Sequence, residues 1–548
     1  VIRWAFLKRV LAGAIFGLYI AHLLYFLNPQ VSVTPGRLAL VTIVYGLICG
    51  LLFGSFLWGL RALRVKLFGR PDSAGAWRAH GFGFVVFAAF VAATLYWMHL
   101  SLFRIGYLPI GAVRVLAKAT NLITITAFAL LLLWFGERYA DRRTSRWIFI
   151  GGVLLIAVSA FFLYERRDSY RTEKENVVVA NVGTVAGQRP LIVVAVRNLP
   201  YDWILTMTGE GSLPFFASAK EQAYFTRLEP FPTMNTRALW ATLVTGKLPY
   251  RHGVTGRFSY RTPLNGRDPS DKFILLPSGV GFRVWGLIPP IERIAPPLPS
   301  GDALPFWAIF DRVSLRASVI DWPWVAQRQT AQPSRALSAA LQQRFNGAGR
   351  AKSRIVDALS DDLTNVTRLE FALRASQPTL AVASLNGFEE AQRALHIFTN
   401  DLPPRSTTKG DALRAYAEQI DAMLAEIASA FPDHLLVVVA PSGPVAPSIP
   451  ETAIAIARDF VQQDDPGADD GFVLIRGSGV AHAEKPSSAF PTDLVPTILY
   501  GAGLPVGRDM DGRVLTDAFT DELLRRNALS VVQTYEAKQL VVRRAGAS

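Results

Sequence analysis

Cysteine is almost absent. Cys49 stands alone among 548 residues, so neither an intramolecular disulfide nor a cysteine metal cluster can form; the redox compartment stays open, because an oxidising one does not demand disulfides. Charge is scarce as well. Only 18% of residues are Asp, Glu, Lys or Arg and 51% are hydrophobic, against about 25% charged in an ordinary soluble domain, which argues against a single soluble globule. Acidic residues are rarest at the start. Residues 1–164 hold three of them (Asp72, Glu137 and Asp141) against 16 Lys and Arg, a net +13, and residues 165–548 carry only +1. The overall +14 is therefore not a basic stripe on a folded face, and a nucleic-acid partner has no support. At roughly 150 residues per domain the length leaves room for a large core beside anything placed in a membrane.

What the first third does have is length without charge. Five stretches, 10–36, 38–60, 79–103, 119–136 and 147–164, contain no Asp, Glu, Lys or Arg. About 20 apolar residues cross a ~30 Å hydrocarbon core as a helix, so five transmembrane helices are expected. The flanking cations alternate: twelve (Arg3, Lys8, Arg9, Arg61, Arg64, Lys66, Arg70, Arg78, Arg138, Arg142, Arg143, Arg146) fall on one side and four (Arg37, Arg104, Arg114, Lys118) on the other. Cations in short loops are retained in the cytoplasm, so the amino terminus is expected there and everything after Tyr164 outside it. The domains expected are a membrane domain at 1–164, a mixed-charge juxtamembrane connector at 165–189, an exported domain at 190–522 and a tail at 523–548 that could lie as an amphipathic helix on the domain or the membrane.

From Pro190 the pattern becomes short β-branched runs alternating with amphipathic stretches, the mark of an α/β domain with a largely parallel sheet. Strands are expected at 191–196, 316–321, 379–385 and 434–440, with a fifth at 471–477, and helical segments at 237–244, 353–374 and 411–430. A Pro- and Gly-rich insertion at about 259–303 breaks the alternation. Sites in open α/β sheets form at the carboxyl ends of the strands, so the residues just after each strand carry the functional question.

Three segments carry a resemblance: TRALWATLVTGKLPYRHGV at 236–254, LPFWAIFDRVSLRASVIDWPW at 304–324 and TDLVPTILYGAGLPVGRDMDGRVLTDAF at 492–519. In combination they resemble the alkaline phosphatase superfamily, in its type I phosphodiesterase/nucleotide pyrophosphatase branch. The resemblance implies an alkaline-phosphatase-like fold, a helix opened by a nucleophilic Thr, here Thr236, and two divalent metals held by several Asp and His. Those ligands are largely replaced. Arg197 stands where the family has the Asp after its first strand. Glu389 and Arg393 stand where it has an Asp and a His four residues on; sliding the register to His396 puts Gln392 at the Asp position and lengthens the loop. Pro441, Ser442 and Gly443 replace its Asp-His-Gly, and the last His falls near Gly467 in an acidic run without His. A permanent guanidinium charge repels a divalent ion by several kcal/mol even at an effective dielectric near ~20. No metal and no cofactor are expected, and Thr236 is catalytic only if some rebuilt site activates it.

Plainer roles stand beside these. Thr236 also reads as a helix N-cap, Arg197, Glu389 and Arg393 as an inert ion network filling the vacated pocket, His396 as a surface residue and His252 as a turn residue. His22 and His99 lie in or beside the spans, where no acidic partner exists. The function expected is a membrane protein, in contact with the lipid bilayer, whose non-catalytic exported domain binds an envelope protein partner or an anionic ligand through Arg197, Thr236, Glu389, Arg393 and Ser442. The alternatives are an active phosphodiesterase or phosphotransferase acting on a nucleotide, lipid head group or envelope polymer, and a role centred on the membrane helices.

Overall fold

The structure, a computed structural model, describes residues 2–28, 35–68, 76–103, 105–167, 179–185, 189–231, 234–255, 259–261, 281–282, 292–294, 303–322, 341–397, 402, 407–443, 461–462, 470–537 and 539–544. Most of the insertion expected at 259–303, much of the connector and most of the acidic run before residue 470 lie outside these residues. The chain divides into two units, one of residues 1–174, 255–296 and 455–464 and the other of the remainder.

The first unit is built on five helices: α1 (Ile2–Leu27), α2 (Pro35–Phe68), α3 (Ala76–Phe103), α4 (Ile110–Tyr139) and α5 (Arg142–Arg167). Among the described residues four stretches are long and apolar enough to cross a membrane: Leu38–Phe56, Phe82–Ser101, Ile110–Tyr139 and Arg143–Arg166. Their outer faces expose Leu47, Leu52, Phe84, Phe87, Ile125 and Leu132, while Tyr45, Ala112, Leu116, Ala127 and Leu130 are buried. A soluble protein would reverse that economy, since water penalises large contiguous apolar patches. With no hydrophobic drive between helices in lipid, small residues and a few hydrogen bonds hold them together. At Gly54 a Cβ would lie 2.7 Å from the Val10 Cα, so glycine is what lets α1 and α2 approach. Tyr19 donates to the Ala88 carbonyl at 2.7 Å, and Thr126 and Ser159 share a bond of 2.8 Å.

The second unit contains a six-stranded sheet. Its strands are β2 (Leu191–Val196), β3 (Tyr224–Leu228), β4 (Ala317–Ile320), β5 (Leu380–Leu385), β6 (Leu435–Ala440) and β7 (Gly471–Arg476), while β1 (Val179–Val185) and β8 (Gln539–Arg544) form a separate parallel pair. The order across the sheet is β3-β7-β6-β2-β5-β4. Strands β6, β2, β5 and β4 are mutually parallel, and β7 runs antiparallel to both β6 and β3. The central strands read as unbroken apolar runs because both faces are covered. Helices α6 (Tyr201–Gly209), α7 (Pro214–Gln222), α10 (Lys352–Ser376), α11 (Gly387–Leu395) and α12 (Thr408–Ala430) supply the core around Ile192, Val194 and Val196, and α8 (Thr236–Thr245), α9 (Phe306–Arg312) and α13 (Leu494–Gly501) that around Val193 and Ala195.

All five expected strands are present. Strand β3 was not among them: five residues, YFTRL, are too short for an alternation to stand out. The tail contains no long amphipathic helix among the described residues; it has one short helix, Asp521–Arg526, and ends in β8.

Candidate functional site

The turns after β2, β5 and β6 meet at one end of the sheet. Val196 pairs with Leu385, and the Arg197 N–H continues the ladder to the Leu385 carbonyl at 3.0 Å. Ala195 pairs with Val439, and Arg197 and Pro441 are the first residues after these two neighbouring parallel strands, so the chain leaves both at the same end of the sheet. Asn198 takes φ 59°, the left-handed region where Asn is one of the few tolerated side chains.

Arg197 does not hang free. Its Nη1 lies 3.1 Å from Glu389 Oε2, and the other oxygen of Glu389 accepts from Arg393 Nη2 one helical turn on. Glu389 is buried, whereas Arg393 is exposed. The guanidinium of Arg197 rests over the Trp240 ring, 5.2 Å from its centre, a stacking that its weak hydration favours. Trp240 and Thr236 stand at i+4 and i on α8, hence on one face. The structure thus joins Arg197, Glu389 and Arg393 into a triad of net charge +1, and Thr236 stands one helical turn before Trp240 on α8. Ser442 is 1% exposed and its Oγ has no hydrogen-bond partner.

Thr236 is not the N-cap that its position suggested. Asn235 is, its Oδ1 accepting from Ala238 N at 2.9 Å, which leaves the half-buried Thr236 hydroxyl outside the capping bond. His396, exposed, ends α11 in a left-handed conformation. His252 is a turn residue as expected but a buried one: its Nδ1 accepts from Val254 N at 3.1 Å, so Nε2 carries the proton toward Thr242 Oγ1, also 3.1 Å away.

Helix α11, which presents Glu389, Gln392 and Arg393 on one face, is held by Asp362. This carboxylate, 1% exposed on α10, accepts from Asn386 N at 2.9 Å, Gly387 N at 3.1 Å and Tyr416 Oη at 2.9 Å. Sequence reasoning missed it, though a signal exists. Ile355, Leu359, Asp362, Val366, Leu369 and Leu373 share one buried helical stripe, and an acid in such a stripe needs donors waiting for it. Burial pushes the Asp362 carboxyl up to about 7, against the pull of Tyr416 and the two backbone N–H groups. The folded protein then holds a proton that the unfolded chain releases above about pH 4, so this site's contribution to stability falls as pH rises from about 4 to about 7 and is flat beyond. The melting temperature of Asp362→Asn relative to wild type is expected to climb across that window; a difference independent of pH refutes the assignment.

The two family-like turns bind each other. Lys247, 3% exposed, places Nζ 2.5 Å from Asp509 Oδ2 and 2.9 Å from Glu536 Oε1. Thr534 Oγ1 lies within hydrogen-bond distance of both carboxylates, and Asp511 accepts from Leu248 N at 2.8 Å. This network fixes the end of α8 opposite Thr236.

Among the described residues no group of three or more His, Cys, Asp or Glu is placed to hold a metal, and the one buried carboxylate of the triad, Glu389, already has two guanidinium partners. The arrangement can instead present donors to an anion.

Residues 191–488, more than half of the chain, match the family described as Type I phosphodiesterase / nucleotide pyrophosphatase. No curated protein matches the chain. Among solved structures, phosphonoacetate hydrolase from Sinorhizobium meliloti aligns at 15% identity and a TM-score of 0.28, covering 47% of this chain and 56% of its own. Phosphonate monoester hydrolase from Silicibacter pomeroyi aligns at 14% and 0.33 over 60% and 76%, and murine ectonucleotide pyrophosphatase / phosphodiesterase 5, in complex with AMP, at 11% and 0.36 over 61% and 100%.

Proposed function

Because this chain belongs to the type I phosphodiesterase/nucleotide pyrophosphatase family of the alkaline phosphatase superfamily, we propose that it is a multi-pass membrane member whose family domain binds an anionic envelope ligand or partner without turning it over. The observation that carries this reading is the pairing of Arg197 and Arg393 through Glu389 where the family holds metal ligands. Without a metal or a neighbouring base the Thr236 hydroxyl keeps its ordinary, weakly acidic character and is a poor nucleophile. The guanidiniums, by contrast, offer planar donors suited to phosphate, sulfate or carboxylate. Purified full-length protein is expected to carry no stoichiometric zinc by elemental analysis and to leave an aryl phosphodiester intact. Two tightly held metals per chain, or turnover lost in Thr236→Ala, would establish the enzyme reading instead.

The membrane part of the proposal has five spans, α1 included, a cytoplasmic amino terminus and a domain outside the cytoplasm. Its support is the twelve-to-four split of cations around the apolar stretches. A reporter active only outside the cytoplasm is expected to be active when fused after Ser548 and silent in the loops near Arg70 and Arg142. The opposite pattern inverts the topology.

A further inference from the structure

We propose that the turn after β2, together with Gln392 and Ser442, is a site for a phosphoryl group that retains a P–O–H, and that it discriminates this group from sulfate and from phosphodiesters. The inference rests on the anion-binding reading above and narrows it to one chemistry.

Three buried side-chain polar atoms without a hydrogen-bond partner belong to this turn and its neighbours: Arg197 Nε, Gln392 Oε1 and Ser442 Oγ. Gln392 and Ser442 are each 1% exposed. Their association is set by the backbone. Gln392 lies on the same face of α11 as Glu389 and Arg393, at i+3 and i+4 spacing, and its Nε2 donates to the Asn198 carbonyl at 3.2 Å. Ser442 stands two residues past the end of β6, the strand that pairs in parallel with β2, and so leaves the sheet at the same end as Arg197 and Asn198. A buried polar atom left unmade bears its full desolvation cost, so three around a single turn mark a place completed by something that bonds to them.

Their chemistry narrows what that is. Arg197 Nε is a donor only, and Ser442 Oγ both donates and accepts. Gln392 Oε1 is an acceptor only, because the bond from Nε2 to Asn198 fixes which way the amide faces. Anionic oxygens suit the first two, and the net +1 of the triad favours them. The third needs a hydrogen. Hydrogen phosphate supplies both, as does a phosphomonoester in its singly ionised form, whose second ionisation lies near pH 6. Sulfate is fully ionised at neutral pH and a phosphodiester has no P–O–H, so each would set an oxygen lone pair against Gln392 Oε1. A site built to bond a hydroxyl rejects analogues lacking it far more strongly than a pocket that merely fits them.

The test is calorimetric titration of the full-length protein in detergent at pH 6.5 with inorganic phosphate, phenyl phosphate, sulfate and dimethyl phosphate. Tryptophan fluorescence gives a second readout, since Trp240 lies under Arg197. Inorganic phosphate is expected to bind about 30-fold or more tightly than sulfate or dimethyl phosphate. Phenyl phosphate binding alongside it assigns the site to monoesters; phosphate alone assigns it to the free anion. Gln392→Met is expected to keep phosphate binding and bring the phosphate-to-sulfate ratio within about threefold. Equal binding of phosphate and sulfate by wild type, which needs no variant to fold, overturns this proposal and leaves the anion-binding reading standing. Binding of none of the four overturns both.

Discussion

Gly387→Ala is expected to destabilise the family domain severely. A Cβ at this position would lie 1.8 Å from Tyr416 Oη, 2.6 Å from the Ala358 carbonyl and 2.8 Å from Asp362 Oδ2. None of the three can yield cheaply. Tyr416 is fully buried and bonded to Asp362, and the Ala358 carbonyl belongs to the α10 backbone. Relief requires moving α11 off α10, which breaks the bonds to Asp362. Overpacking usually costs about 1–3 kcal/mol, and unmaking bonds to a buried carboxylate adds about 1–3 kcal/mol. The sum, about 2–6 kcal/mol, is at its upper end a large part of a typical domain's 5–15 kcal/mol. Limited proteolysis of the full-length protein reads the outcome. Adding Tyr416→Phe removes the nearest clashing atom and is expected to restore part of the protease resistance; a Gly387→Ala protein as resistant as wild type contradicts the packing described.

Lys247→Met is the other substitution with a large expected effect. It leaves Asp509 and Glu536, both mostly buried, facing each other across Thr534 with no cation between them. Breaking a buried pair from one side costs about 3–5 kcal/mol, because the remaining charge stays buried and uncompensated. The pH dependence gives the mechanism away. Burial pushes both carboxyls up, and around Glu536 the Lys247 ammonium, Thr534 and the Leu304 N–H outweigh that and hold it below the ordinary range. Without the ammonium both carboxyls rise and take up protons more readily, so the loss is expected to be largest at pH 7 and to shrink toward pH 5. Denaturant unfolding of the variant at both pH values, alone and with Glu536→Gln, checks this. A loss under about 1 kcal/mol at pH 7 means the pair is idle.

The sheet was legible because its central strands carry one uninterrupted signal: LIVVAV, LAVASL and LLVVVA are covered on both faces and need no polar alternation. Edge strand β3 was not, since a five-residue run leaves too few positions for a period. The site was legible in part. Arg197, Glu389 and Arg393 could be set on strand ends by pattern and resemblance, and α11 does bring them together. Gln392 was set aside with the alternative register, although helical spacing alone puts it on the face of Glu389. Trp240 gave no sign, because a core aromatic and a platform for a guanidinium look alike along the chain. Thr236 and Asn235 show the limit of capping rules: both residue types are good caps, and one position decides which hydroxyl or amide is spent on the backbone.

The parallel pairing of β1 with β8 also bears on how the protein is made. Residues 179–185 leave the ribosome soon after the helical segments, yet their ladder partners are residues 539–544. Nearly the whole family domain must be synthesised in between. Strand β1 therefore lacks its ladder partner until β8 has been made. Pairing over such a separation is entropically late and slow, so an unpaired β1 is open to chaperones, proteases and neighbouring chains until residues 539–544 reach it.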